Sequence, residues 1–336
     1  MRFIFFSFRA SYRKMLFNNF ILNNIYGKYV VINLGGPIKH YIAKFFLFFG
    51  IGRLISCDGN PLILDISKGI NFWSRNSLYL PDNEKKLNNN FFAIANNHIS
   101  QNNIFQIYPV KIFKSKLKKK PKIIFISRIN IETTSEEKKI WDSNKKNLLE
   151  NFNLIDDVNY WNKNVLKTNN EMKKYEVYLK LKLLLRFEIV KSLKNRFGDQ
   201  MVIIGNDWKN LQVKSLPSPD IGSKHYNKKN IYNIYKGNIC LDLGSIVGST
   251  SLYHRSMQII EAGGLLVQST QSDSKMIWKN LHNKLIFNNI NAGILLIEKI
   301  LYDENYSYDL LDKIHDNFSN SKKLMEQSLD KIFSNG

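Results

Sequence analysis

The sequence predicts an α/β fold in two domains, and three observations carry that prediction. From residue 122 onward, short continuous apolar runs alternate with helical patterns, as they do when parallel strands are buried on both faces. Glycines close several of these runs, at Gly205, Gly244 and Gly263–Gly264. A lysine-rich stretch closed by a proline, "KSKLKKKPK" (114–122), separates this regular half from a less regular first half. The predicted division is an N-terminal domain over 1–121, a C-terminal domain over 122–305, and helices over 306–336.

The N-terminal elements are short and irregular. "RFIFFSF" (2–8) reads as a first strand, too short for a signal-peptide core. "KYVVINLGG" (28–36) reads as a strand ending at Gly35–Gly36, where backbone can approach a ligand closely. Pro37 then opens the pattern "YIAKFFLFFGIGRLI" (41–55). Interrupted by Lys44 and Arg53, it falls short of the ~20 apolar residues of a membrane span. It reads as a buried core helix, with a helix lying in a membrane interface as the functional alternative. "NNFFAIANN" (89–97) and "IFQIYPVKIF" (104–113) read as two more strands.

The second half is more explicit. "KIIFISR" (122–128), "QMVIIGN" (200–206), "NICLDLG" (238–244), "LLVQS" (265–269) and "KLIFN" (284–288) read as strands. "SEEKKIWDSNKKNLLENF" (135–152) begins as a capped helix, and "EMKKYEVYLKLKLLLRFEIVKSLKNRF" (171–197) is a long helix stopped by Gly198. Helices are also predicted over 252–262, 274–281 and 292–301, and over one or two segments between Tyr308 and Phe333. In a parallel sheet, ligands bind beyond the carboxyl ends of the strands. That rule points to the loops after Ser127, Gly205, Gly244 and Gln268.

Composition narrows the function classes. With 44% hydrophobic and 13% aromatic residues the chain is globular rather than disordered. Its net charge of +21 is uneven: residues 1–128 hold 20 Lys and Arg against 4 Asp and Glu, and no acid precedes Asp58. Residues 129–336 hold 29 against 24. Abundant lysine explains the bases but not the missing acids. A positive N-terminal face is one reading, and compositional drift is the other. Such a face attracts anionic lipid at about 1 kcal/mol per basic residue near the surface. Nucleic acid is disfavoured as a partner because no recognition module accompanies the charge. Two distant cysteines, Cys57 and Cys240, suit a reducing compartment, so a cytoplasmic protein, with peripheral contact at the inner membrane face, is expected.

No GxxxxGK[ST], GxGxxG, CxxC or HExxH motif occurs, the six histidines are dispersed, and there is no Asp-x-Asp to carry a metal-bound diphosphate. No metal or cofactor is expected. What remains is 239–269, where the strand "ICLDLG" enters the loop "SIVGSTSLYHR" and then a helix. Gly248, Ser249, Thr250 and Ser251 form an anion cradle at the helix start, or simply cap it. Arg255 lies in the first turn, where a cation opposes the helix dipole; an anion there accounts for it, and a solvent-facing arginine is the alternative. Glu261, just before Gly263–Gly264, can accept two hydroxyl hydrogen bonds from a vicinal diol such as a ribose. The alternative is an exposed helical acid ahead of a glycine cap.

"RSMQIIEAGGLLVQS" (255–269), preceded by "IYNIYKGNICLDLGSIVGSTSLYH", resembles the C-terminal domain of two-domain GT-B glycosyltransferases. The closest likeness is to the family-1-like group that includes the spore-maturation CgeB-like proteins. "RFEIVKSLKNRFGDQMVIIGNDW" (186–208), with its G-x-x-W ending, is similar to that group's preceding helix and strand. The resemblance covers roughly residues 122–305. It implies two Rossmann-like domains, the N-terminal one short and irregular, with a nucleotide-sugar donor and no metal. It implies that Arg128 contacts the donor diphosphate, that the 248–255 loop faces that diphosphate with Gly205 nearby, and that Glu261 binds the ribose. Tyr253 and Thr133 stand where many retaining members have Glu and Lys, which leaves the stereochemical outcome open.

The expected activity is therefore transfer of a sugar from a nucleotide-sugar to a cell-surface glycan, lipid-linked or protein acceptor. His98 and His40 are the two N-terminal candidates for the catalytic base, each with a structural or surface role as its alternative. The competing reading is a non-catalytic GT-B-like nucleotide-binding protein, which the short N-terminal half and Tyr253 favour.

Overall fold

The computed structural model describes residues 2–7, 29–33, 53–57, 69–73 and 91–93, with Phe45 and Pro109. It then describes residues 112–321, apart from 166–170, 207, 209–212, 214, 217–227, 245–250, 253 and 272, and also Lys323 and Gln327. The chain forms two compact units: Met1–Lys111 with Asn320–Gly336, and Ile112–Ser319.

The first unit carries a five-stranded sheet of β1 (Arg2–Ser7), β2 (Tyr29–Asn33), β3 (Arg53–Cys57), β4 (Gly69–Trp73) and β5 (Phe91–Ala93), in the order β2-β1-β3-β4-β5. Every pairing is parallel. The described residues of this half thus form a parallel sheet, where the sequence suggested short and irregular elements. β3 replaces the end of the expected 41–55 helix, because Gly50 and Gly52 punctuate the apolar run and "RLISC" follows them as extended chain. Phe45, in the same stretch, is helical and 63% exposed rather than buried. β4 was not foreseen. The strand expected at 104–113 falls largely outside the described residues, and Pro109, Ile112 and Phe113 have no regular structure.

The second unit alternates strands and helices. β6 (Ile123–Ile126) is followed by α1 (Ser135–Glu150) and α2 (Glu171–Phe197), then by β7 (Met201–Ile204) and α3 (Lys228–Tyr235). β8 (Ile239–Asp242), α4 (His254–Glu261), β9 (Leu265–Ser269) and α5 (Ser274–Trp278) come next. β10 (Ile286–Phe287), α6 (Ile290–Tyr302) and α7 (Glu304–Asn317) close the unit. α1 starts where expected because Thr134 and Glu137 form a reciprocal capping box. Gly198, at φ 51°, ends α2 in a conformation that disfavours other residues. The last strand is shorter than the sequence suggested, since Lys284 and Leu285 close a helical turn.

The sheet order is β10-β9-β8-β6-β7, all parallel. Leu216 adds a parallel bridge to Ile204 on the far side of β7. Counting that bridge as a residual third strand, the chain-order numbers across the sheet read 3-2-1-4-5-6. The direction of winding therefore reverses between β6 and β8. Strands β6, β8 and β9 are buried along their whole length, as continuous apolar runs require. α7 covers the unit with Leu310, Ile314 and the following Phe318, all buried as predicted. Met325, Leu329 and Phe333 lie outside the described residues. No helix among the described residues is long and apolar enough to cross a membrane.

The basic run 114–122 is not a free linker. Phe113 N–H donates to the Glu261 carbonyl at 3.0 Å, Lys118 N–H to Gly237 at 2.9 Å, and the Ser115 hydroxyl to the Gly263 carbonyl. Leu117 is buried. Sequence reading placed the boundary here on lysine density. The backbone bonds instead hold the run against the amino-terminal edge of the second sheet, and the division falls at Lys111.

Candidate functional site

In a parallel sheet all carboxyl ends share one edge, and each crossover helix runs back toward the other. α2 ends at Phe197, shortly before β7 begins. Arg186 lies eleven residues earlier, about 16 Å back along the helix axis, while a strand of four or five residues spans about 13–17 Å. Arg186 is thereby delivered to the carboxyl edge. Its Nη2 donates to the Gly244 carbonyl at 2.7 Å and its Nη1 to Ser127 Oγ at 3.3 Å. Ser127 follows β6 and Gly244 follows β8, so one side chain ties together the two strands between which the winding reverses.

Arg186 is only 6% exposed. Burial pushes its pKa down to about 10, with Arg255 adding to the fall and Asp242 opposing it. Arg255, in the first turn of α4, thus stands close to a second cation. Asp242 does not neutralise the pair by direct contact. Its Oδ1 accepts from Gly244 N–H at 3.1 Å and its Oδ2 from Gln268 Nε2 at 3.2 Å. Two arginines converging on this edge make it electropositive, in a place where backbone N–H groups from the strand exits also lie.

The surrounding frame is rigid. Gly205 follows β7, and a Cβ on it would lie 1.8 Å from the Ser127 carbonyl oxygen; only glycine permits this approach. Trp208, fully buried, donates its indole N–H to the same oxygen at 2.7 Å and packs edge-on against Phe125. The G-x-x-W ending is therefore a clamp on the exit of β6. Arg128, next along, is exposed beside it.

Other predicted residues are placed differently. Ser251 is fully buried, and its groups are spent internally: N–H to Asp273 at 2.7 Å, hydroxyl with Ser274 at 2.7 Å, carbonyl from Gln268 at 2.9 Å. It anchors the loop rather than facing a ligand. Glu261 is 2% exposed and accepts a hydrogen bond from the Tyr232 hydroxyl. It ends α4, directly before Gly263–Gly264 leads into β9, so it sits at the amino edge of the sheet. Arg255 begins the same helix, six residues or about 9 Å away along its axis. The two residues predicted to meet one ligand thus lie at opposite ends of a crossover helix, Arg255 toward the carboxyl edge and Glu261 toward the amino edge. Gly248, Ser249, Thr250, His40 and His98 lie outside the described residues.

Sequence reading missed Arg186, Lys182 and Gln271. Lys182 precedes Arg186 by one turn and lies 3.6 Å from Asp156. Burial lowers its pKa, opposed by Asp156. The signal was available: Lys182 and Arg186 interrupt the apolar stretch "LKLLLRFEIV" at a four-residue spacing, on the stripe shared with buried Leu185 and Ile189. Charges on a buried stripe must be compensated or functional. Among the described residues no group of three His, Cys, Asp or Glu is placed to hold a metal ion. Arg128, Gly205, Ser127, Gly244, Arg186 and Arg255 are brought to one edge, and Glu261 to the other. Comparison with protein-family models and with curated proteins finds no match to the chain.

Proposed function

We propose that this chain is a glycosyltransferase of GT-B type. Its second unit would bind a nucleotide-sugar at the carboxyl edge between β6 and β8, and its first unit would receive the acceptor. The observation that carries the reading is the buried Arg186 with Arg255 beside it at the point where the winding reverses. In doubly wound sheets this crevice is where nucleotides bind, and 3-2-1-4-5-6 is the Rossmann order. A parallel sheet in each unit is compatible with the two Rossmann-like domains of a GT-B enzyme.

In this reading Arg255 and Arg128 stabilise the charge that develops on the leaving diphosphate. Fixed cations in a water-poor site do this without reorganising at the moment of reaction. Arg186 acts through the backbone, holding the exits of β6 and β8 and adding positive potential. This reading gives Glu261, buried with Tyr232 toward the other edge, no contact with the donor. The basic composition of residues 1–128 suits an anionic acceptor or an anionic membrane face.

The test is release of UDP, GDP, ADP or CMP from the corresponding nucleotide-sugars, with lipid-linked and glycan acceptors, by wild type and Arg255→Ala. Release from one donor, reduced at least about tenfold in the variant for a lost charge-assisted bond, is the expected result. Tight nucleotide-sugar binding with no release under any acceptor would favour the non-catalytic reading. Neither binding nor release would defeat both.

A further inference from the structure

Behind Arg186, between α2 and the exits of β8 and β9, lies a cavity of about 30 Å³, enough for about two waters or one small tetrahedral ion. Phe152, Ile155 and Leu243 form apolar wall, and Lys182, Arg186 and Gln271 supply polar lining. Gln271 is 7% exposed, and its Oε1 has no hydrogen-bond partner. In the orientation present, Nε2 donates to both the carbonyl and the hydroxyl oxygen of Ser269, each at 3.3 Å, and a flipped amide would set its oxygen against that carbonyl. A buried amide oxygen left without a donor costs about 1–3 kcal/mol, so the lining asks for a donor at this point.

The opposite need is met by the cations. Two of the five N–H groups of Arg186 are used, by Ser127 and Gly244. Lys182 stands one turn away. The lining carries one acid, Asp156, which is engaged by Lys182 at 3.6 Å and by the Tyr178 hydroxyl at 2.7 Å. An occupant must therefore present acceptors to the cations and one hydroxyl donor to Gln271. Water meets the second demand but leaves the positive charge of the lining unbalanced.

We infer that this cavity is a binding site for a protonated tetrahedral oxyanion, the hydrogen phosphate group. Its charged oxygens face Lys182 and Arg186, and its P–OH donates to Gln271 Oε1. The group can come from free inorganic phosphate or from a sugar phosphate. The site shares Arg186 with the nucleotide-sugar reading but uses neither Arg128 nor Arg255, so the two can fail separately.

Sulfate is the discriminating probe, because it matches phosphate in size and shape but carries no proton near neutral pH. Calorimetric titration of the full chain with inorganic phosphate and with sulfate is expected to show saturable phosphate binding and a preference of about tenfold, the worth of one good hydrogen bond to a buried group. Gln271→Met should remove that preference by weakening phosphate alone, and Lys182→Met should weaken both ions. Glucose 1-phosphate in place of phosphate, both titrated at about pH 5 where the ester keeps its P–OH (second pKa about 6), separates the sources: tighter binding assigns the site to a sugar phosphate, and exclusion of the ester assigns it to the free ion. No saturable phosphate binding by the folded wild-type protein, or equal binding of phosphate and sulfate, overturns the assignment.

Discussion

The two edges of the second sheet are built from the same strands but finished in opposite ways. At the amino edge the polar groups have internal partners, the His315 ring apart. Tyr232 meets Glu261, Ser115 and Gly237 meet the Gly263 carbonyl, and Lys122 N–H meets Asn238 Oδ1 at 3.0 Å. The strap from Phe113 to Lys122 closes that edge. At the carboxyl edge, two cations converge, Arg186 keeps N–H groups in reserve, and Gln271 Oε1 is left without a donor. Such incompleteness is costly unless something binds there. The contrast separates residues that hold the fold from residues that await a ligand, and it moves Glu261 to the first class.

Breaking the frame of the open edge should have the largest effect. Trp208→Ala removes a fully buried indole and leaves the Ser127 carbonyl without its 2.7 Å donor. It should cost about 3–5 kcal/mol in urea-induced unfolding. A loss under about 1 kcal/mol, the scale of a tolerated surface change, would mean that the indole does not clamp the β6 exit.

The closed edge has one weak point, which gives a smaller, pH-dependent effect. His315 on α7 is buried, neither ring nitrogen has a hydrogen-bond partner, and Lys114 of the strap is close enough to act on it. Burial lowers its pKa, with Asp312 opposing, Lys114 reinforcing and Asp316 opposing. Above the ordinary histidine value of 6.5 both folded and unfolded chains hold it neutral. As pH falls through that value, the unfolded chain takes up the proton first, so stability drops. His315→Leu should flatten the decline in melting temperature between about pH 7 and pH 5. An unchanged profile would place the acid sensitivity elsewhere.

Much of this architecture was legible in the sequence. "KIIFISR", "NICLDLG" and "LLVQS" declare buried parallel strands because no polar residue interrupts their central apolar runs except Asp242 and Gln268, and those two prove to be hydrogen-bonded to each other at the site's edge. The 171–197 helix and its glycine stop were equally plain. What failed was placement. Glu261 looked like a ligand residue because it shares a helix with Arg255, yet eight residues of crossover helix are enough to reach the opposite edge. Arg186 was passed over inside an apolar stretch, although counting back one strand length from Gly198 puts it at the carboxyl edge. The first sheet was underread because "RLISC" and "GINFW" are too short to show a period.

The ligand test is the most direct. Thermal stability would be measured against UDP, GDP, ADP and CMP for wild type, Arg255→Ala and Glu261→Gln; the last keeps an oxygen to accept from Tyr232. A ligand at 100 times its dissociation constant stabilises by about 2.7 kcal/mol, enough for a clear shift. The account predicts a shift with one nucleotide that is lost in Arg255→Ala and retained in Glu261→Gln. A shift retained in Arg255→Ala and lost in Glu261→Gln would contradict it and return the ligand to the edge described here as closed.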